Sequence, residues 1–170
     1  PDVRGIDCAL IYRPSEFTVL EHSAIPVWFK DNPEYKTRDI LYVKGRTRNW
    51  EEIHVFVNHW PSRIGGVSET NARRVRAAEV LKEKIDSLSG EIDTKAHILI
   101  MGDMNDEPVN ESLSEVLSAQ SPDNENAFLV NLMFPEDKEG RGSYNYRGNW
   151  SMLDNIIVSN GLLDEKGFRC

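Results

Sequence analysis

"EIHVFVNHW" (52–60) and "AHILIMGD" (96–103) are two β-type runs separated by "SETNARRVRAAEVLKEKIDSLSG" (68–90), and this triplet decides the fold. The first run is rich in Val, Ile and Phe and ends abruptly in Asn58, His59, Trp60 and Pro61. The middle segment carries Val75, Ala78, Leu81, Ile85 and Leu88 at helical spacing, with Ser68 as a candidate N-cap and Gly90 as a stop. A helical crossover of this length joins parallel strands, because a hairpin turn cannot return the chain to the same direction. Parallel strands end at the same sheet edge. His59 and Asp103, each just past an apolar run, are therefore expected to face one crevice, at the edge where ligands of open α/β sheets bind.

Working outward, "IDCALIYRP" (6–14) and "FTVLE" (17–21) read as a hairpin around a Pro-Ser turn, and "RDILYVKG" (38–45) pairs with 52–60. "NESLSEVLSA" (110–119) reads as a short helix, and "FLVNLMF" (128–134) is ambiguous between helix and strand. "SYNYRG" (143–148) and "MLDNIIVS" (152–159) return to β character. Strand pairs, then strand–helix–strand, then more strands predict an α/β protein with a mixed sheet. At 170 residues and 39% hydrophobic, residues 1–170 are expected to form a single domain.

The formal charge is −8: residues 1–90 sum to +1 and residues 91–170 to −9. That argues against nucleic acid held by a broad basic face, but suits a small phosphate site whose acids carry a cation. No apolar run is long enough to span a bilayer, so stable membrane insertion is not expected. The two cysteines, Cys8 and Cys170, form neither a disulfide framework nor a zinc pattern, and Cys8 in "IDCALIY" reads as a small buried thiol. Localisation and oligomeric state stay open.

"ILIMGDMND" places Asp103 and Asn105 two apart beyond a strand, after a glycine that permits a tight turn. A carboxylate and an amide oxygen suit a hard cation, and the carboxylate can also orient a water for attack on phosphorus. The same D-x-N also reads as an Asx turn. Trp60 and Trp150 read equally as core or as rim aromatics, and Arg63 as a solvated cation.

Taken in order, "VNHWPSR", "IMGDMND", "GSYNYRG" and "MLDNIIVS" resemble the endonuclease/exonuclease/phosphatase superfamily, and more closely its bacterial members with "RGIDxALLYRP" and "NHWPSR" signatures. The likeness runs from Arg4 to Ser159. It implies a four-layered α/β sandwich with mixed β-sheets. It also implies a divalent-metal-dependent phosphoester hydrolase, of phosphodiesterase or nuclease type, using an activated water. The alternatives are a small-molecule or lipid phosphatase of the same fold and a binding domain that has lost the chemistry.

By position, the resemblance gives His59 the phosphate-contacting imidazole and Asp103 the carboxylate that handles the water. Asn105 takes the amide that binds phosphate or metal-bound oxygen, and Asp154 the carboxylate that orients a C-terminal His. Asp103 and Asn105 would share Mg²⁺ or Mn²⁺. Arg38 resembles a phosphate-contacting Arg, although an ion pair with Asp39 explains it equally well. Trp60, Arg63, Tyr144, Tyr146 and Arg147 would rim a phosphoester substrate: nucleic acid, phospholipid headgroup or sugar phosphate. The family's metal-binding Glu lies on an earlier strand, and its terminal Asp-His pair follows the last one. His22, His54 and His97 do not replace that His. The resemblance thus implies a domain incomplete at both ends, inactive as residues 1–170 alone.

Overall fold

The computed structural model describes residues 2, 4–89 and 96–163. In chain order it contains β1 (Phe17–Ile25), β2 (Ile40–Thr47), β3 (Glu52–His59), α1 (Val67–Ser89) and β4 (Ile98–Asp103). A turn of π-helix (Ser112–Val116) follows, then β5 (Ala119–Gln120), β6 (Leu129–Asn131) and α2 (Phe134–Lys138). The chain continues through β7 (Tyr144–Tyr146), β8 (Asn149–Ser151), β9 (Asp154–Ser159) and a 3₁₀ turn (Asn160–Leu162). Seven strands form one sheet in the order β1-β2-β3-β4-β9-β6-β5, and β7-β8 is a separate two-stranded ribbon. This is a mixed α/β fold, as expected. The β3–β4 and β5–β6 pairs are parallel, the other pairs antiparallel.

Alternation along the strands sorts the sheet into two faces. Ile40 and Tyr42, Phe56, Ile98 and Ile100, and Ile157 point to the face covered by α1, where they meet Ala77, Ala78, Leu81 and Ile85. The π-helical turn adds Leu113 and Leu117 to the same core. Residues one step out of phase, among them Val43, Val55, Val130 and Val158, form a second apolar cluster with Leu41, Val57, Leu99 and Met101 on the opposite face. The buried stripe of α1 is Ala77, Ala78, Val80, Leu81, Ile85 and Leu88, while Val75 is only half-buried. Each face of the sheet has its own apolar cluster, which is why β2, β3 and β4 read as nearly continuous apolar runs.

Four local expectations change. Residues 6–13 form no strand; their alternation predicts extended chain, but a strand also needs a hydrogen-bonded neighbour, and none of the described residues pairs with them. Cys8, on that segment, is half-buried, and burial raises its thiol pKa. The helix expected over 110–119 is shorter and π-helical, with Ser118 at φ +59 ending it. "FLVNLMF" resolves into strand for Leu129–Asn131 and the start of α2 at Phe134, whose Pro135 suits a first turn. Gly90, the predicted helix stop, lies outside the described residues, as does Cys170.

His54 shows what its burial costs. Its ring stacks on Tyr42, and its Nδ1 lies 2.9 Å from the Tyr42 hydroxyl. Burial first, then the Lys44 charge, lowers its pKa. The unfolded chain therefore takes up a proton more readily than the folded one. Stability should be complete above about pH 6.5, the ordinary imidazole value, and fall as the pH drops below it, by at most about 1.4 kcal/mol per pH unit for one proton. Thermal melts of wild type and His54→Gln between pH 7.5 and 5 test this. The variant should show the shallower acid limb, and parallel limbs would exclude His54 as the cause.

Candidate active site

β3 and β4 run parallel with His59 opposite Asp103, and β4 and β9 run antiparallel with Asp103 opposite Asp154. His59, Asp103 and Asp154 thus lie in one row across three adjacent strands. All three are in phase with Val57, Met101 and Ile156, so they point to the face opposite α1. Pairing across β3, β4 and β9 brings together an imidazole and two carboxylates some 44 and 51 positions apart. The His59 Nε2 is 3.6 Å from Asp103 Oδ2, and both side chains are partly open.

Gly102 permits this approach. It adopts φ +132, and a Cβ there would overlap the Asn58 carbonyl. Just past β4 the chain turns at Asn105, φ +50, a conformation that asparagine tolerates better than most residues. Asp103 Oδ1 accepts the Asn105 N–H at 2.9 Å, an Asx turn. The Asn105 side-chain nitrogen donates to the Trp60 carbonyl at 3.0 Å, which leaves the amide oxygen as its donor atom for a ligand. The Asx-turn reading of D-x-N is therefore observed, and the turn fixes how Asp103 and Asn105 are held relative to each other.

The electrostatics of the row are opposed. Burial, with the neighbouring Asp154 carboxylate adding to it, raises the Asp103 pKa against the Asn105 N–H bond. Burial lowers the His59 pKa, assisted by the Arg38 charge and opposed by Asp103. Asp103 is a stronger proton acceptor than an exposed carboxylate, and His59 is mainly a neutral ring at neutral pH.

Asp103 and Asp154 open into a crevice of ≈ 780 Å³ lined also by Asn105, the β3–α1 connection and the β7–β8 ribbon; His59, beside Asp103, is not among its lining residues. Tyr144 lines it and is about half exposed. Arg147 sits at the ribbon's turn with its guanidinium over the Tyr146 ring.

Trp60 corrects its expectation as a rim aromatic. It is 2% exposed, packs in the α1-side core, and donates its indole N–H to Asn58 Oδ1 at 3.0 Å. Arg63 also differs from a free substrate-binding cation: it lines the crevice, but its Nε donates to the Asn105 carbonyl (2.6 Å). Its Nη2 donates to Asn110 (2.8 Å) and Asp106 (3.2 Å). Its donors hold the 105–110 loop in place. Arg38 is buried, with Nη1 3.4 Å from Asp2 rather than in the surface pair proposed with Asp39. Its charge acts on both His59 and Asp103.

Sequence reasoning missed two residues that build the site. Asp106 is 1% exposed and binds Arg63, Ser112 and the fully buried Arg74. A helical arginine in the run Arg73-Arg74-Val75-Arg76 reads as solvated, so nothing local signals that pair. Ser143 is the other: its Oγ accepts the N–H groups of Leu153 (3.2 Å) and Asp154 (2.9 Å), tying the ribbon to the row. Its signal was the preceding Gly142, where a Cβ would overlap the Ser151 backbone.

Oxygen donors from Asp103, Asp154 and the Asn105 amide match the preference of a hard divalent cation, and the mutual repulsion of the two carboxylates is what such a cation would relieve. Among the described residues no cluster of three or more His, Cys, Asp or Glu side chains is placed to hold a metal ion, so these groups amount to part of a shell. No helix among the described residues is long and apolar enough to cross a membrane.

A family model described as "Endonuclease/Exonuclease/phosphatase family" matches residues 1–170. No curated protein sequence matches the chain. Among solved structures, the human Nocturnin catalytic domain with bound sulfate superposes with TM-score 0.58 at 17% identity, covering 85% of this chain and 48% of that one. The Bacteroides thetaiotaomicron mannosyl-6-phosphatase Bt3783 gives 0.56 at 16%, covering 87% and 55%. D. rerio TDP2 complexed with single-strand DNA product gives 0.57 at 14%, covering 86% and 55%. At these identities the likeness concerns the fold. The chain spans about half the length of the structures it matches.

Proposed function

Because the chain belongs to the endonuclease/exonuclease/phosphatase family, we propose that it forms part of a divalent-metal-dependent phosphodiesterase that attacks phosphorus with an activated water. The observation that carries this reading is the His59–Asp103–Asp154 row, set in register on one face, with Asp103 and Asp154 lining the crevice. Asp103, its pKa raised by burial, accepts a proton from the attacking water. His59, a neutral ring beside it, donates an N–H to a phosphoryl oxygen as charge develops there. Asn105, anchored through its nitrogen to the Trp60 carbonyl, contributes its amide oxygen. Asp154 holds a second carboxylate next to Asp103, and the charge of the buried Arg38 acts on both His59 and Asp103. Mg²⁺ or Mn²⁺ held by Asp103, Asn105 and Asp154 would supply further charge stabilisation on the phosphoryl oxygens.

The test is a substrate panel on the full-length protein with Mg²⁺, with Mn²⁺ and with EDTA. It covers duplex DNA, RNA, inositol phosphates, sphingomyelin and simple phosphodiesters. Metal-dependent hydrolysis of a diester, abolished by EDTA, is expected. Preference for monoesters would shift the reading to a phosphatase, and failure to hydrolyse any member of the panel would favour a binding domain.

A further inference from the structure

The crevice beside Asp103 and Asp154 has two walls that carry aromatic and aliphatic side chains. One is the β7–β8 ribbon. Its register pairs Tyr144 with Ser151 and Tyr146 with Asn149, and all four line the crevice, whereas the intervening pair Asn145–Trp150 does not. Strand alternation therefore turns a two-tyrosine face toward the reacting groups. The tyrosines are 49% and 56% exposed, so their rings are open to a ligand. The facing wall comes from the β3–α1 connection, where Ile64 is 87% exposed and Val67 is 51% exposed. The cation of this lining, Arg63, has its Nε and Nη2 engaged by Asn105, Asp106 and Asn110. A second phosphate on the substrate would find one lining cation, already paired with the Asp106 carboxylate. A flat, uncharged ring would find two aromatic faces and an alkyl surface.

The ribbon's turn supports the same conclusion independently. Arg147 and Gly148 occupy its two central positions with φ of +53 and +88, the signature of a two-residue hairpin turn that ordinarily takes Asn-Gly. Arginine is disfavoured at positive φ. Here its guanidinium folds back over the Tyr146 ring, 5.1 Å from the centroid. The sequence accepts a strained turn residue, and the visible return is a cation braced on the crevice tyrosine. Ser143, bonded to the Leu153 and Asp154 N–H groups, fixes the ribbon relative to the catalytic row.

We infer that the Tyr144/Tyr146 face is a stacking wall for a nucleobase, which makes the substrate a nucleotide-containing phosphoester rather than a multiply phosphorylated sugar or a lipid headgroup. This rests on the phosphoesterase reading above and names its substrate class.

Inhibition of bis(4-nitrophenyl) phosphate hydrolysis by the full-length protein with Mg²⁺ separates the two claims. Adenosine 5′-monophosphate should inhibit roughly tenfold or more better than ribose 5-phosphate, the scale expected of one stacked base. Tyr146→Ala should erase that difference while leaving the ribose 5-phosphate inhibition constant unchanged, and Tyr146→Phe should restore it. Arg147→Asn should raise the melting temperature yet weaken adenosine 5′-monophosphate. Equal inhibition by the two compounds, or an equal loss for both in Tyr146→Ala, would overturn the stacking wall and leave the phosphoesterase reading standing. Absence of hydrolysis of any phosphoester would overturn that reading and the wall with it.

Discussion

Asp103→Asn in the full-length protein is expected to lower kcat by roughly 10²–10⁴-fold, the range for a group that handles the proton of an attacking water, while the fold survives. Asparagine is chosen because its side-chain oxygen still accepts the Asn105 N–H, so the Asx turn at the end of β4 is kept. What disappears is the negative charge and the basicity that burial has increased. The carboxylate is about one-third exposed and makes no core contact, so the melting temperature should hardly move. Initial-rate kinetics with saturating Mg²⁺, alongside a thermal melt, separate chemistry from folding. A folded variant with near-wild-type kcat would remove Asp103 from the mechanism. A large drop in melting temperature would instead assign it to the turn.

Asp106→Ala should produce the largest loss of stability, about 3–5 kcal/mol, the usual cost of removing one partner from a buried ion pair. Arg74 is fully buried, with Nε 2.8 Å from Asp106 Oδ1; its other nitrogens reach the Thr70 hydroxyl (2.7 Å) and the Val67 carbonyl (2.9 Å). Without Asp106 its charge has no carboxylate, and the Ser112 hydroxyl loses its 2.6 Å acceptor. Arg63 is less affected, because it is partly solvated and lies 3.9 Å from Glu107. For a domain of this size the melting temperature should fall on the order of 10 °C. Combining Asp106→Leu with Arg74→Met removes both charges and should recover much of that loss. Denaturant titration of the single and double variants decides the matter. A single-variant cost below about 1 kcal/mol would mean that water replaces the carboxylate.

These two acids differ sharply in how far the sequence discloses them. Asp103 follows a short apolar run and a glycine, and its position at a strand end is enough to place it at the sheet edge. Asp106 lies three residues later in the same polar stretch, and its burial depends on Arg74, 32 positions earlier on the helix. Trp60 shows the converse: adjacency to His59 suggested a shared outlook on the substrate. Consecutive residues at a strand end point to opposite faces, and Trp60 turns into the α1-side core.

The sequence by itself determined the β3–α1–β4 unit and the common edge of His59 and Asp103, because apolar periodicity and crossover length are local properties that a single chain displays. It also identified the family, through ordered motifs spread along the chain. Only the tertiary structure decided that β9 inserts beside β4 and sets Asp154 opposite Asp103, that residues 6–13 lack a strand partner, and that Arg63 and Arg74 converge on Asp106. Only the structure, too, turned the ribbon tyrosines toward the row. Strand neighbours, buried charge partners and the facing of a hairpin depend on contacts between residues far apart in sequence, and local pattern carries no record of which distant segment supplies them.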